Sequence, residues 1–141
     1  MAEFEYVDFV HCVKSSTLDG KAKVMYKPNG KYHVRLNKDV SNDIVKAEAY
    51  YVRLRRNVIT GEVFFIFQQE QTPDSVKVYL EFRGKCIIIS CRGFIEAVGK
   101  LLGIPVSELD GHLLTVGENK SRMDDIVCVQ VWKGITSDSA L

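Results

Sequence analysis

Apolar and polar positions alternate along most of this chain, and the period changes in only a few places. Lys23 to Tyr26 reads as a strand, and Asn29-Gly30 after it is a strong hairpin signal. In the return strand, Lys31 to Leu36, alternation puts Tyr32, Val34 and Leu36 on one face. Lys31, His33 and Arg35 take the other. Asp39 to Ala47 shifts to a short helical pattern, with Asn37 as N-cap and Val40, Ile44 and Val45 inward. Tyr50 to Arg56 alternates again, setting Val52 and Leu54 against Arg53 and Arg55. Glu62 to Gln69 is a strongly aromatic strand.

The same order then recurs. Val76 to Phe82 is a strand with Val76, Val78, Leu80 and Phe82 on one face. Arg83-Gly84 turns the chain into the apolar strand Cys86 to Ile89. Phe94, Ile95, Val98, Leu101 and Leu102 fall on one stripe of a helix, which Gly103 stops and Pro105 keeps from resuming. Ser107 with Asp110 has the spacing of a capping box for a single turn closed by Gly111. His112 to Val116 and Ile126 to Trp132 are strands flanking a polar loop.

Lys23, Val24, Gly30, Lys31 and Lys38 correspond to Lys77, Val78, Gly84, Lys85 and Arg92 at one constant offset. The expected fold class is therefore α+β: predominantly antiparallel β with two short helices, in two pseudo-repeated ββαββ halves packed as one unit. Residues 1–20 form an N-terminal edge strand and turn, 21–70 the first half and 71–75 a linker. Residues 76–133 form the second half and 134–141 a flexible tail.

Composition narrows the class. Apolar content of 46% and charged content of 26% are those of a soluble globular protein. No apolar run reaches the roughly 18 residues a membrane span needs, so no membrane partner is expected. The acidic opening MAEFEYVDFV is unlike a signal peptide, which makes a cytoplasmic location the expectation. The four cysteines, Cys12, Cys86, Cys91 and Cys128, make no Cys-x-x-Cys pair and read as reduced core thiols.

Net charge is +1, but residues 21–70 alone carry ten Lys and Arg against five acids. His33, Arg35, Arg53 and Arg55 stand on the polar faces of two strands. If those strands pair, their charges gather on one surface, as phosphate binding requires. The candidate nucleic-acid-binding residues are Lys31, Arg35, Lys38, Arg53 and Arg55.

Enzyme chemistry has little to stand on. No His pair has metal-ligand spacing, no glycine-rich phosphate loop is present, and there is no nucleophile elbow. Cys91 before Arg92 could have a lowered pKa, with His112 as its base. Sequence position does not bring the two together. No catalytic residue, metal or cofactor is assigned.

Gly84-Lys85, the β-branched run Ile87-Ile88-Ile89, the short helix and Leu102-Gly103-Ile104 together resemble the swapped-hairpin AbrB-type DNA-binding fold. Gly30-Lys31 and Val34 carry a fainter copy. Two copies in one chain are similar to the tandem MraZ-type members, in which the intertwined pair lies within one polypeptide. The family places Pro after its first long strand, where this chain has Leu36-Asn37 and Ser90-Cys91, and its helix is shorter. The resemblance implies DNA contact by basic residues near the strand-to-helix corner. Lys31, Arg35, Lys38, Lys85 and Arg92 hold the matching positions. Val98 to Leu113 is also somewhat similar to a helix-turn-helix, with Val106 to Leu113 as its recognition helix.

The function expected from all this is a small non-enzymatic regulatory protein that binds duplex DNA. The alternative is a protein-interaction module or inhibitor acting through sheet edges. A homodimer is compatible with either.

Overall fold

The computed structural model describes residues 5–6, 20–27, 30–81, 83, 85–119 and 126–134. The chain opens with β1 (Glu5–Tyr6), then the hairpin β2 (Gly20–Tyr26) and β3 (Tyr32–Leu36). Helix α1 (Lys38–Ala47) leads to β4 (Tyr51–Asn57) and β5 (Val63–Gln68). β6 (Val76–Lys77) and β7 (Tyr79–Glu81) are two pieces of one run, followed by β8 (Cys86–Ile89) and α2 (Arg92–Leu102). A 3-10 turn at Val106–Glu108 precedes β9 (Leu113–Asn119) and β10 (Ile126–Trp132).

Alternation decides which side chains enter the core. Ala22 and Val24 on β2, Val34 and Leu36 on β3, Val52 and Leu54 on β4, and Phe65 and Phe67 on β5 are buried. So are Ile87 and Ile89 on β8, Leu114 and Val116 on β9, and Val129 and Val131 on β10. The turn between β2 and β3 needs the left-handed backbone that Gly30 supplies, at φ 95°. It is closed by the Lys27 N–H donating to the Lys31 carbonyl at 2.7 Å.

The strands make one sheet in the order β4, β5, β10, β9, β2, β3, β8, β7. Each pairing along that path is antiparallel, whereas β1 lies parallel to the end of β4. β6 pairs back onto β4 while β7, one residue later, pairs with β8. Val78 joins them and donates its N–H to the Tyr50 carbonyl at 2.9 Å. The run 76–81 thus links the two ends of the path and curls the sheet towards a barrel. A ring of about eight strands has an interior that side chains fill.

Around this ring the hairpins alternate: β2–β3, then β8–β7, then β4–β5, then β10–β9. Helix α1 packs on β8, β9 and β10, and α2 on β2, β3 and β4. The Phe65 ring meets Phe67 edge-on at 6.4 Å and Phe94 of α2 at 5.3 Å. These contacts join the helices to the barrel core.

Several local expectations change. α2 begins at Arg92, and its buried face is Phe94, Ile95, Val98 and Gly99, with Leu101 and Leu102 only half-buried. Gly99 is inward because Leu109 packs against it; an added Cβ would lie 2.9 Å from Leu109 Cδ2. Asn37 is the N-cap residue of α1 but makes no side-chain cap bond, and its Oδ1 is buried without a partner.

The Ser107–Asp110 capping box does not form. Pro105 precedes the 3-10 turn, and the Asp110 carboxylate instead accepts the Tyr26 N–H at 2.9 Å and Lys27 Nζ at 3.2 Å. A three-residue turn at Val106–Glu108 leaves no second helix for a helix-turn-helix. Leu80 is exposed rather than inward with Val78, because the run changes partner strand at Val78.

The segment 71–75 is a bonded turn. The Thr72 N–H donates to Ser75 Oγ at 2.8 Å, and the Ser75 N–H to the Thr72 carbonyl at 3.0 Å. β9 continues through Asn119, into the stretch expected to be loop. The expected first strand beyond Tyr6, Cys12, and the tail after Gly134 lie outside the described residues.

Candidate nucleic-acid interface

β4 buries Val52 and Leu54 and turns Tyr51, Arg53 and Arg55 outward. Arg55 is fully engaged: Nη1 donates to the Leu54 carbonyl at 2.9 Å, and Nη2 is ion-paired with the Asp74 carboxylate. Asp74 also accepts the Thr72 hydroxyl at 2.7 Å. Burial alone would raise the Asp74 carboxyl, but the bonds from Arg55 and Thr72 outweigh it and hold the pKa below its ordinary value.

Arg53 has no such partner. Its Nε is buried and unbonded, and among the described residues no acceptor meets its guanidinium. Partial burial, and then the charge of Arg55, lower its pKa; Asp74 opposes them. A cation held this way is stabilised by an arriving anion.

Arg35 and His33 share the outward face of β3. The expected meeting of Arg35 with Arg53 and Arg55 fails, because β3 and β4 do not pair. β8 and the β6–β7 run stand between them. Helix α1 acts as a crossover and carries β4 away from β3. Arg35 instead lies opposite Lys23 across the β2–β3 ladder. Like charges in such a pair repel. Burial, then Arg35, lower the His33 imidazole pKa, and Glu81 opposes them. Lys31 is exposed beside the β2–β3 turn, and Lys38 is exposed at the first position of α1.

Arg92 is tied down. Its guanidinium carbon lies 5.1 Å from the Tyr26 ring centroid and 6.0 Å from that of Tyr32, and its Nε donates to Glu96 at 3.2 Å. The Tyr26 hydroxyl donates to the same carboxylate, which raises the Tyr26 pKa and lowers that of Glu96. These groups fasten the end of the β2–β3 hairpin to the first turn of α2. Lys85 is exposed.

Cys86 and Cys91 are half-buried free thiols, and Cys128 is buried. His112 is buried, with Nε2 on the Lys133 carbonyl at 2.6 Å and Nδ1 unbonded. It makes no hydrogen bond to Cys91. Among the described residues no group of three or more His, Cys, Asp or Glu is placed to hold a metal ion. No helix among them is long and apolar enough to cross a membrane.

Sequence reasoning missed Lys23, Leu113 and Trp132 as surface groups. Leu113 and Trp132 are exposed on β9 and β10, and Leu113 pairs with Lys23. Alternation carried their outward direction, but the β2–β9 pairing that assembles them is long-range. No protein-family model matches the chain, and no curated protein or solved structure matches it.

Proposed function

We propose that this is a small, non-enzymatic, regulatory nucleic-acid-binding protein that holds the phosphate backbone, that of duplex DNA included. One observation carries the reading: Arg53, partly buried beside a neutralised Arg55, has no counter-ion among the described residues. Phosphate supplies the missing acceptors, in the fork geometry guanidinium favours. The Lys23–Arg35 pair adds positive charge elsewhere on the outward surface.

The reading includes an internal repeat of two ββαββ halves, related to the swapped-hairpin DNA-binding proteins that the sequence resembles. What supports the repeat is that each pairing has a counterpart. β2–β3 corresponds to β7–β8, β4–β5 to β9–β10, and β2–β9 to β6–β4. Both helices also end alike. The Ala49 N–H bonds to the Ile44 carbonyl at 3.2 Å, and the Ile104 N–H to that of Gly99 at 2.8 Å, each residue 55 positions on. The offset of 54 that relates Val24 to Val78 has to lengthen by one within the hairpin. Only then does inward Val34 match inward Ile89 rather than Ile88, which lies outside the main core cluster.

The competing reading, contact with another protein through a sheet edge, draws on β7. Among the described residues that strand pairs only with β8, and it presents Tyr79, 54% exposed, and Leu80. An edge of three residues offers few backbone bonds for strand addition. Titration of labelled duplex DNA at low and high salt tests the first reading. Binding that weakens steeply with salt supports it, and no binding at low salt removes it.

A further inference from the structure

We propose that Trp132 is a stacking platform for an unpaired base, so that the strip from Trp132 to Arg35 takes a single-stranded segment of nucleic acid. The proposal rests on the nucleic-acid reading above and narrows its substrate. Four outward side chains lie on four adjacent strands. Trp132 on β10 neighbours Thr115 on β9, and Leu113, two residues earlier, faces Lys23 on β2, which faces Arg35 on β3. Three strand spacings make this strip roughly 14 Å wide, the length of a few nucleotides.

Trp132 is 40% exposed and Leu113 36%, while Val131 and Leu114 beside them are buried. The backbone that follows Trp132 is held at two successive residues. The Lys133 carbonyl accepts His112 Nε2 at 2.6 Å, and His112 is itself buried. Gly134, at φ 78°, then lies so close to the backbone of Leu113, Leu114 and Thr115 that any Cβ would collide with the Leu113 carbonyl. A ring carried on a fixed strand end leaves only its own side-chain torsions to be ordered when a base stacks on it. Lys23 and Arg35 stand at the far end of the strip, where phosphates of the same strand would lie. Bases inside a duplex are already stacked on each other, so the indole reaches a base only in an unpaired strand.

Trp132 is the single tryptophan of the chain, so its emission reports on this position alone. The intact protein is titrated with a short oligothymidylate and with a duplex of equal length. The expected result is saturable quenching by the single strand, with the duplex bound more weakly and quenching less. Trp132→Ala should weaken single-strand binding by about tenfold, and Trp132→Phe should retain most of it. The quenching arm needs no variant, so a misfolded Trp132→Ala leaves the test intact. Salt-sensitive binding of oligothymidylate with unchanged emission, and undiminished in Trp132→Ala, would overturn the stacking proposal while leaving the nucleic-acid reading in place. Binding of neither form at low salt would overturn both. Emission that shifts with protein concentration alone, and not with oligothymidylate, would assign the strip to self-association and overturn the proposal.

Discussion

Arg55 is ion-paired with Asp74, while Arg53, two positions earlier on the same face of β4, has no partner among the described residues. The two arginines look equivalent in sequence and are not equivalent in the fold. Arg53→Ala should therefore weaken nucleic-acid binding and reduce the magnitude of the salt slope by about one, the share of a single phosphate contact. Arg55→Ala should change binding less. Its main effect is to strand Asp74, whose side chain is about one-third exposed, at a cost of about 1 kcal/mol. Titrations of both variants at several salt concentrations check this. Equal losses in the two would show that the ion pair does not hold Arg55 back.

The same pair fixes a pH dependence. Asp74 is held below its ordinary pKa, with the bonds from Arg55 and Thr72 prevailing over burial. A carboxyl whose folded pKa is depressed contributes stability above its unfolded pKa, and that contribution is lost as pH falls through the folded value. Wild type should thus lose more stability on acidification from neutral pH than Arg55→Ala does. Thermal melts of both proteins at neutral and acid pH measure the difference. Parallel curves would mean the pair contributes nothing.

Glu48 ends α1 in the left-handed region, at φ 54° and ψ 37°, where Gly103 stands in the corresponding bond pattern at the end of α2. A residue with a Cβ is strained there and glycine is not, so Glu48→Gly should stabilise the fold by about 1 kcal/mol. Chemical denaturation reads this directly. A destabilised variant would show that the Glu48 side chain contributes more than its backbone conformation costs.

What could be read in the sequence was local, and what could not was long-range. The β2–β3 hairpin followed from Asn29-Gly30, and the stop of α2 from Leu102-Gly103, because each signal lies within a few residues of its effect. The end of α1 at Ala47 followed from the change of period there, although Glu48 offers no glycine to mark it. The pairing of β2 with β9, and of β6 with β4, depends on how the whole ring closes. So did the fate of the basic stripe. Charge counting found the surplus in residues 21–70, but Asp74 in a later turn decides which arginine is neutralised. Trp132 read simply as the end of a strand, since its exposure is set by what surrounds β9 and β10.

The helix face is testable at two positions. Ile95 is fully buried and Leu101 only half-buried. Ile95→Ala should cost about 3 kcal/mol, and Leu101→Ala about 1 kcal/mol, since its site is already partly hydrated. Similar losses in urea unfolding would indicate that α2 is rotated about its axis.

Ser41 is a polar residue at zero exposure in the middle of α1. Its hydroxyl donates to the Leu36 carbonyl at 3.3 Å and accepts the Ile87 N–H at 2.9 Å. Leu36 ends β3, and Ile87 lies just beyond the β3–β8 pairs at Arg35–Ile88 and Val34–Ile89. The hydroxyl thus gives that N–H the acceptor the ladder does not, and ties α1 to both strands. Removing it leaves a buried donor without a partner and with no route to water. Ser41→Ala should cost about 2 kcal/mol, well above its loss of packing volume, because the desolvation of the Ile87 N–H is no longer offset. The Ile87 amide should also exchange with solvent faster than its neighbours in the variant. A loss under about 0.5 kcal/mol with unchanged exchange at Ile87 would mean another acceptor reaches that amide, and that Ser41 is buried there for its size alone.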